Sequence, residues 1–177
     1  MLSDLSGAAW VIEAVFEDLE VKRKIFTELN EYCSGARGLA TNISSFRVAE
    51  VASASRWPER VLGLHYFYHP AKNRLVEVIG HAGTDPDVLA DAWALQEAIG
   101  RIPIHSADSP GFVVNRFFVP WLNEAVRLAE RGVSKEVVDA VARDTFGVGM
   151  GPFALMNATG VPIAHHAAAS LATHLGE

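Results

Sequence analysis

Residues 62–79 read LGLHYFYHPAKNRLVEVI. Two short apolar runs flank a polar connection that contains Pro70, and each run has the length and composition of a β-strand. His65 ends the first run and Glu77 lies inside the second. Histidine titrates near neutrality, so it can accept a proton at working pH, and a nearby carboxylate can fix its tautomer and stabilise its charged form. From residue type alone His65 fits a structural role as well as that of a base. If Glu77's strand is covered on both faces, its carboxylate must be paired. If only one face is covered, strand alternation turns it to water. A return of the chain through residues 68–74 could bring the two together, with the register left open.

Towards the N-terminus, WVIEAV (10–15), LATNIS (39–44) and VLGLHYF (61–67) are strand-like. Between them lie a helical stretch over 19–33, with Val21, Ile25, Leu29 and Tyr32 or Cys33 at helical spacing, and a short one over 47–54. Strand alternating with helix predicts an α/β layer on a mostly parallel sheet. Towards the C-terminus, residues 85–101 form a helix capped by Thr84, with Pro86 in its first turn, Val88, Ala92, Leu95 and Ile99 on one face and Gly100 at its end. IPIHSA (102–107) is another strand. Beyond it the pattern is helical only: a long helix through Phe112–Ala129 with an apolar surface wide enough to be buried between neighbours, then helices over 135–146, 152–158 and 163–175. The fold class is therefore α/β followed by all-α, with a domain boundary near Ala107 and Ser-Pro-Gly (109–111) as the hinge, giving domains 1–107 and 108–177.

Half of the 177 residues are hydrophobic and 20% are charged, which is a globular composition. The net charge of −6 argues against a nucleic-acid partner. The sequence shows neither a membrane-length apolar run nor a basic leader segment, which places the protein in the cytoplasm. Cys33 is the single cysteine and reads as a small core residue.

Three further positions carry chemical interest. Ser44, at the carboxyl end of the second strand, faces the place where open α/β sheets bind ligands, while Ser45 fits a helix N-cap. Asn115 lies among apolar residues at the start of the long helix, so its amide needs partners from a ligand, the first domain or its own surroundings. Glu17 and Lys22, near the start of the first helix, read by themselves as solvent-exposed charges. GVGMG (147–151) follows a helix and runs into Pro152, so it is a connection between helices and not a dinucleotide loop. The pairs His65 with His69 and His165 with His166 lack a metal-ligand spacing, and no metal is expected.

VIEAVFEDLEVKRKIF, ATNISS, LGLHYFYHP with LVEVIG, and DSPGFVVNRFFVPWLNEAVRLAERGV followed by GMGPFALMNATG occur in that order. Together these segments resemble the 3-hydroxyacyl-CoA dehydrogenase family over nearly the whole chain. The resemblance implies the C-terminal part of a Rossmann-like NAD-binding domain followed by an incomplete helical dimerisation domain. It further implies oxidation of an L-3-hydroxyacyl-CoA to the 3-oxoacyl-CoA with reduction of NAD, and a homodimer in the full-length protein. By matching motif, His65 is implied as the general base and Glu77 as its orienting acid. Ser44 would bond the reacting oxygen or lie against the nicotinamide, Asn115 would reach the substrate, and Glu17 and Lys22 would contact NAD.

Two departures accompany the resemblance. This chain reads HYFYHP where members read HFFNP, so Tyr68 stands where they have an asparagine. The family's N-terminal strand and GxGxxG turn are not in the sequence, so both ends read as cut and NAD binding by this chain alone is expected to be impaired. Two other arrangements fit the same residues: a non-catalytic dimerisation module, and the dehydrogenase part of a longer chain with an enoyl-CoA hydratase domain.

Overall fold

A computed structural model describes residues 1–175. The chain divides into two compact units, Met1–Phe112 and Val113–Glu177. The first holds strands β1 (Trp10–Glu13), β2 (Gly38–Thr41), β3 (Val61–Tyr66), β4 (Leu75–Gly80) and β5 (Ile102–Ala107), and helices α1 (Leu19–Tyr32), α2 (Val48–Ala52) and α3 (Pro86–Ala98). The strands form one sheet in sequence order. β1, β2 and β3 are mutually parallel, β3 and β4 antiparallel, and β4 and β5 parallel again. The hairpin is the one reversal in the expected parallel sheet. Its connection is clasped by Arg101, whose guanidinium donates to the carbonyls of Pro70 and Asn73.

Helices cover both faces of this sheet. On one face Val11, Leu39, Val61 and Ile79 pack with Phe26, Leu29 and Cys33 of α1 and Val48 and Val51 of α2. On the other, Ala40, Leu62, Leu64, Val76 and Val78 pack with Val88 and Ala92 of α3. Strand alternation therefore sends His65 and Glu77 to the α1/α2 face, together with Val61 and Ile79. Gly63 on the same face lets α2 approach the sheet: a Cβ there would come within 2.9 Å of Val48.

Several local expectations change. The buried face of α1 is Lys22, Phe26, Leu29 and Asn30, rotated from the expected one, and Val21 is exposed. A lysine fills an interior position that apolar spacing assigned elsewhere. On α3, Gln96 takes the core position after Ala92, its carbonyl accepting the Tyr66 hydroxyl at 2.9 Å, while Ile99 is exposed beyond the helix end. Asp85, not Thr84, caps α3 by accepting from the Asp87 amide; the Thr84 hydroxyl instead ties His81 to the Val61 carbonyl. Ser45 does not cap α2 either. That five-residue helix begins after Arg47, and the Asp108 carboxylate accepts its first amides, from Val48 and Ala49. Asp108 and the buried Phe112 thus pack with the first unit, beyond the boundary expected near Ala107.

The second unit comprises α4 (Val114–Glu130), α5 (Lys135–Phe146), α6 (Pro152–Thr159) and α7 (Val161–Leu175). Its best-defined joint is the α5–α6 connection. Gly147 ends α5 in a left-handed conformation, φ 64°, and Asp139 on α5 accepts the Phe153 and Ala154 amides at the start of α6 at 2.8 and 2.9 Å. The glycine-rich GVGMG is a helix connection, as expected. The long helix departs from expectation: only Val119 and Ala125 of α4 are buried, and Phe117 is 74% exposed. α5, α6 and α7 cover one stripe of α4, which leaves the rest of its apolar surface open within this chain. No helix among the described residues is long and apolar enough to cross a membrane.

Candidate active site

The register open in sequence is settled by the hairpin: His65 and Glu77 are direct partners across β3 and β4. Their side chains meet on the helix-covered face, His65 Nδ1 lying 2.6 Å from Glu77 Oε2. Glu77 is fully buried and His65 is 5% exposed. Of the two settings open to Glu77, the structure selects the paired one. A carboxylate can only accept, so the proton of a neutral His65 sits on Nδ1 and its lone pair on Nε2. That lone pair faces the Ser44 hydroxyl, 3.1 Å away. Phe67 meets the imidazole edge-on at 4.6 Å between ring centres, and Phe112 lies at 5.7 Å. These rings wall the imidazole on two sides, while Ser44 is only half-buried. The basic nitrogen therefore opens towards Ser44, beyond the carboxyl ends of the parallel strands β1, β2 and β3.

Phe112 adopts φ 45°, in the left-handed region that side-chain-bearing residues avoid. Gly111 before it has φ 75°, and the Phe112 amide donates to the Ser109 carbonyl at 2.9 Å. This turn delivers the ring into the core beside His65.

Glu17 and Lys22 are not the exposed helix charges that their positions imply. Lys22 is fully buried, and its ammonium contacts Glu13 Oε1 at 3.0 Å, Glu13 Oε2 at 3.2 Å and Glu17 Oε2 at 3.3 Å. Glu13 Oε2 also accepts the Thr41 hydroxyl at 2.6 Å, and Oε1 accepts the Val15 amide. Glu17 Oε1 accepts the backbone amides of Ser44 and Ser45 at 2.7 and 2.8 Å. Glu13, Thr41 and the aromatic walls Phe67 and Phe112 escaped the sequence analysis. Glu13 carried a usable signal, because it is a carboxylate inside an apolar strand run, the same feature that singled out Glu77.

Asn115 lies in the first turn of α4 and is half-buried. It belongs to the second unit, whereas Ser44, His65, Glu77, Glu17 and Lys22 all belong to the first. Among the described residues no group of three or more His, Cys, Asp or Glu side chains is arranged to hold a metal ion.

Parallel strands with their carboxyl ends at one edge and helices on both faces define a Rossmann-like layer, and a hydroxyl–imidazole–carboxylate array stands at the edge where such layers bind ligands. Residues 1–109 match the family model of the 3-hydroxyacyl-CoA dehydrogenase NAD-binding domain, and residues 111–177 match that of the 3-hydroxyacyl-CoA dehydrogenase C-terminal domain. The chain belongs to the 3-hydroxyacyl-CoA dehydrogenase family. It is 38% identical, over 94% of its length, to the fatty acid oxidation complex subunit alpha of Idiomarina loihiensis, and that match spans 23% of the relative. Among solved structures it is similar to FadB2 of M. tuberculosis, with TM-score 0.95 and 35% identity over the whole chain and 63% of that protein. It is also similar to the (S)-3-hydroxybutyryl-CoA dehydrogenase PaaH1 of Ralstonia eutropha, with TM-score 0.92 and 30% identity, again over the whole chain and 63% of that protein.

The residues present fit one end of a dinucleotide. Ser44, half-buried, and Glu17, whose side chain is 23% exposed, stand beyond the strand ends. They offer a hydroxyl and a carboxylate to a carboxamide and ribose, which suits the nicotinamide end.

Proposed function

We propose that this chain supplies the proton-transfer machinery for the NAD-dependent oxidation of an L-3-hydroxyacyl-CoA to the 3-oxoacyl-CoA. The carrying observation is the continuous array Ser44 Oγ, His65 Nε2, His65 Nδ1 and Glu77 Oε2, with contacts of 3.1 and 2.6 Å at its two ends. When bound, NAD supplies the hydride acceptor. His65 takes the proton of the substrate hydroxyl on Nε2. Glu77 holds the imidazole in the required tautomer and offsets the positive charge that develops. The Ser44 hydroxyl bonds the reacting oxygen, and the Phe67 and Phe112 walls keep water off the ring. Asn115 is assigned a contact to the substrate from the helical domain, on its motif.

Glu17 and Lys22 are assigned to NAD with a division of labour. The Lys22 side chain is fully buried whereas that of Glu17 is 23% exposed, so the direct contact falls to Glu17. The helical domain is assigned to a homodimer contact, supported by the open apolar surface of α4.

The reaction is tested by acetoacetyl-CoA-dependent NADH oxidation, using protein expressed from the full reading frame. Turnover should fall by about 10²–10⁴-fold in His65→Ala, the range for loss of a positioned general base. Full activity in that variant would overturn the assignment.

A further inference from the structure

We propose that Glu17 is a positioning residue for the catalytic hydroxyl: its carboxylate fixes the loop that presents Ser44 to His65. This goes beyond a cofactor contact, and only its kinetic arm rests on the dehydrogenase reading above.

The loop in question, residues 42–47, leaves β2 at Thr41 and enters α2 at Val48. The Asn42 amide still donates to the Glu13 carbonyl at 2.7 Å, and beyond it side chains anchor the loop. At its start, Asn42 Oδ1 accepts the Tyr66 amide at 2.9 Å, which ties the loop to the end of β3. In its middle, one oxygen of Glu17 accepts two consecutive amides, those of Ser44 and Ser45, at 2.7 and 2.8 Å. Two charge-assisted bonds at one point hold the two peptide planes that flank the Ser44 Cα. That side chain is the one whose hydroxyl sits 3.1 Å from His65 Nε2.

Glu17 is itself held in place. Its second oxygen meets Lys22 at 3.3 Å, and Lys22 is clamped by both oxygens of Glu13 on β1. Glu13 in turn accepts the hydroxyl of Thr41, the last residue of β2. Glu17 thus couples the loop to two buried strand ends. A carboxylate serving only the cofactor would not need its oxygen saturated by protein amides.

Three variants separate these roles. Glu17→Ala removes both amide acceptors, Glu17→Asp keeps the charge but withdraws it by one methylene, and Glu17→Gln keeps an acceptor of the right reach. Amide hydrogen exchange, followed by NMR, should accelerate about tenfold or more at Ser44 and Ser45 in the Ala and Asp variants, in line with loss of charge-assisted bonds. The His65 Nε2 nitrogen resonance should shift in the same two variants, and Glu17→Gln should restore both signals towards wild type. In turnover, kcat should fall in the Ala and Asp variants by a larger factor than KM for NAD rises, and should recover in Glu17→Gln.

Unchanged exchange at Ser44 and Ser45 in Glu17→Asp would overturn the proposal, even if the Ala variant fails to fold. So would a raised KM for NAD with kcat and the His65 resonance intact. If wild-type protein shows no turnover, the dehydrogenase assignment fails, while the exchange and resonance measurements still decide the role of Glu17.

Discussion

Lys22 and Glu13 meet at 3.0 Å with their side chains 0% and 2% exposed, so a full positive and a full negative charge face each other out of reach of water. Replacing Lys22 with Met, which keeps the length and removes the charge, leaves the Glu13 carboxylate buried without its counter-charge, although the Thr41 hydroxyl and Val15 amide still donate to it. Breaking such a pair from one side costs about 3–5 kcal/mol. Urea unfolding of Lys22→Met should show a loss of that order. A loss below about 0.5 kcal/mol, the range of ordinary surface substitutions, would mean that the charge is dispensable.

Glu77→Gln tests the acid that orients His65. The amide preserves volume, and its oxygen can still accept from Nδ1, so stability should change by less than Glu77→Ala, which leaves a buried donor unsatisfied at a cost of about 1–3 kcal/mol. The neutral amide cannot offset charge on the imidazole, so kcat should drop at least about tenfold in acetoacetyl-CoA reduction. A Gln variant with wild-type kcat and normal stability would show that the carboxylate is structural.

Gly151→Ala probes the helical unit. A Cβ at this position would lie 2.5 Å from both the Cα and Oδ1 of Asp139. Backbone would have to move, and with it the carboxylate that caps α6. The expected loss is about 1–3 kcal/mol by the overpacking route, read by thermal unfolding monitored at α-helical ellipticity. Gly149→Ala, where a Cβ meets nothing within 4 Å, is the control.

Cys33 supplies a pH dependence. Burial raises its thiol pKa above the ordinary value, so the folded state holds the proton more tightly than the unfolded chain does. Its contribution to stability is complete below the unfolded thiol pKa, about 8.5, and is lost as pH rises from there through the folded value. The stability difference between wild type and Cys33→Ala should be flat from neutrality to that point and shrink at higher pH. A difference that stays constant into strongly alkaline solution would contradict the burial effect.

The alternation of the first 107 residues was legible because each strand is a short apolar run and each helix is framed by turn chemistry: Pro86 opens α3 and Gly100 follows its end with φ 81°. Partner identity was less legible. His65 and Glu77 could be named, but their register depends on hydrogen bonds between strands, which no local pattern encodes. Lys22 was misread because a lysine on an amphipathic helix defaults to water, and here two carboxylates from outside the helix reverse that default. The same blindness turned the face of α1, since Phe26 and Asn30 align with Lys22 and not with Val21. The width of the apolar surface on α4 was legible, whereas what covers it is not a local property.

The antiparallel ladder that sets His65 opposite Glu77 separates two kinds of inheritance. The pair is locked by strand pairing, so residues 68–74 can change length and chemistry without disturbing its register, and Tyr68 near their start, half exposed, is open to such change. An insertion of one residue inside β3 or β4 would instead turn one member of the pair to the α3 face and separate it from the other. The hairpin thus leaves its connection free to drift while its stem permits almost no experiment.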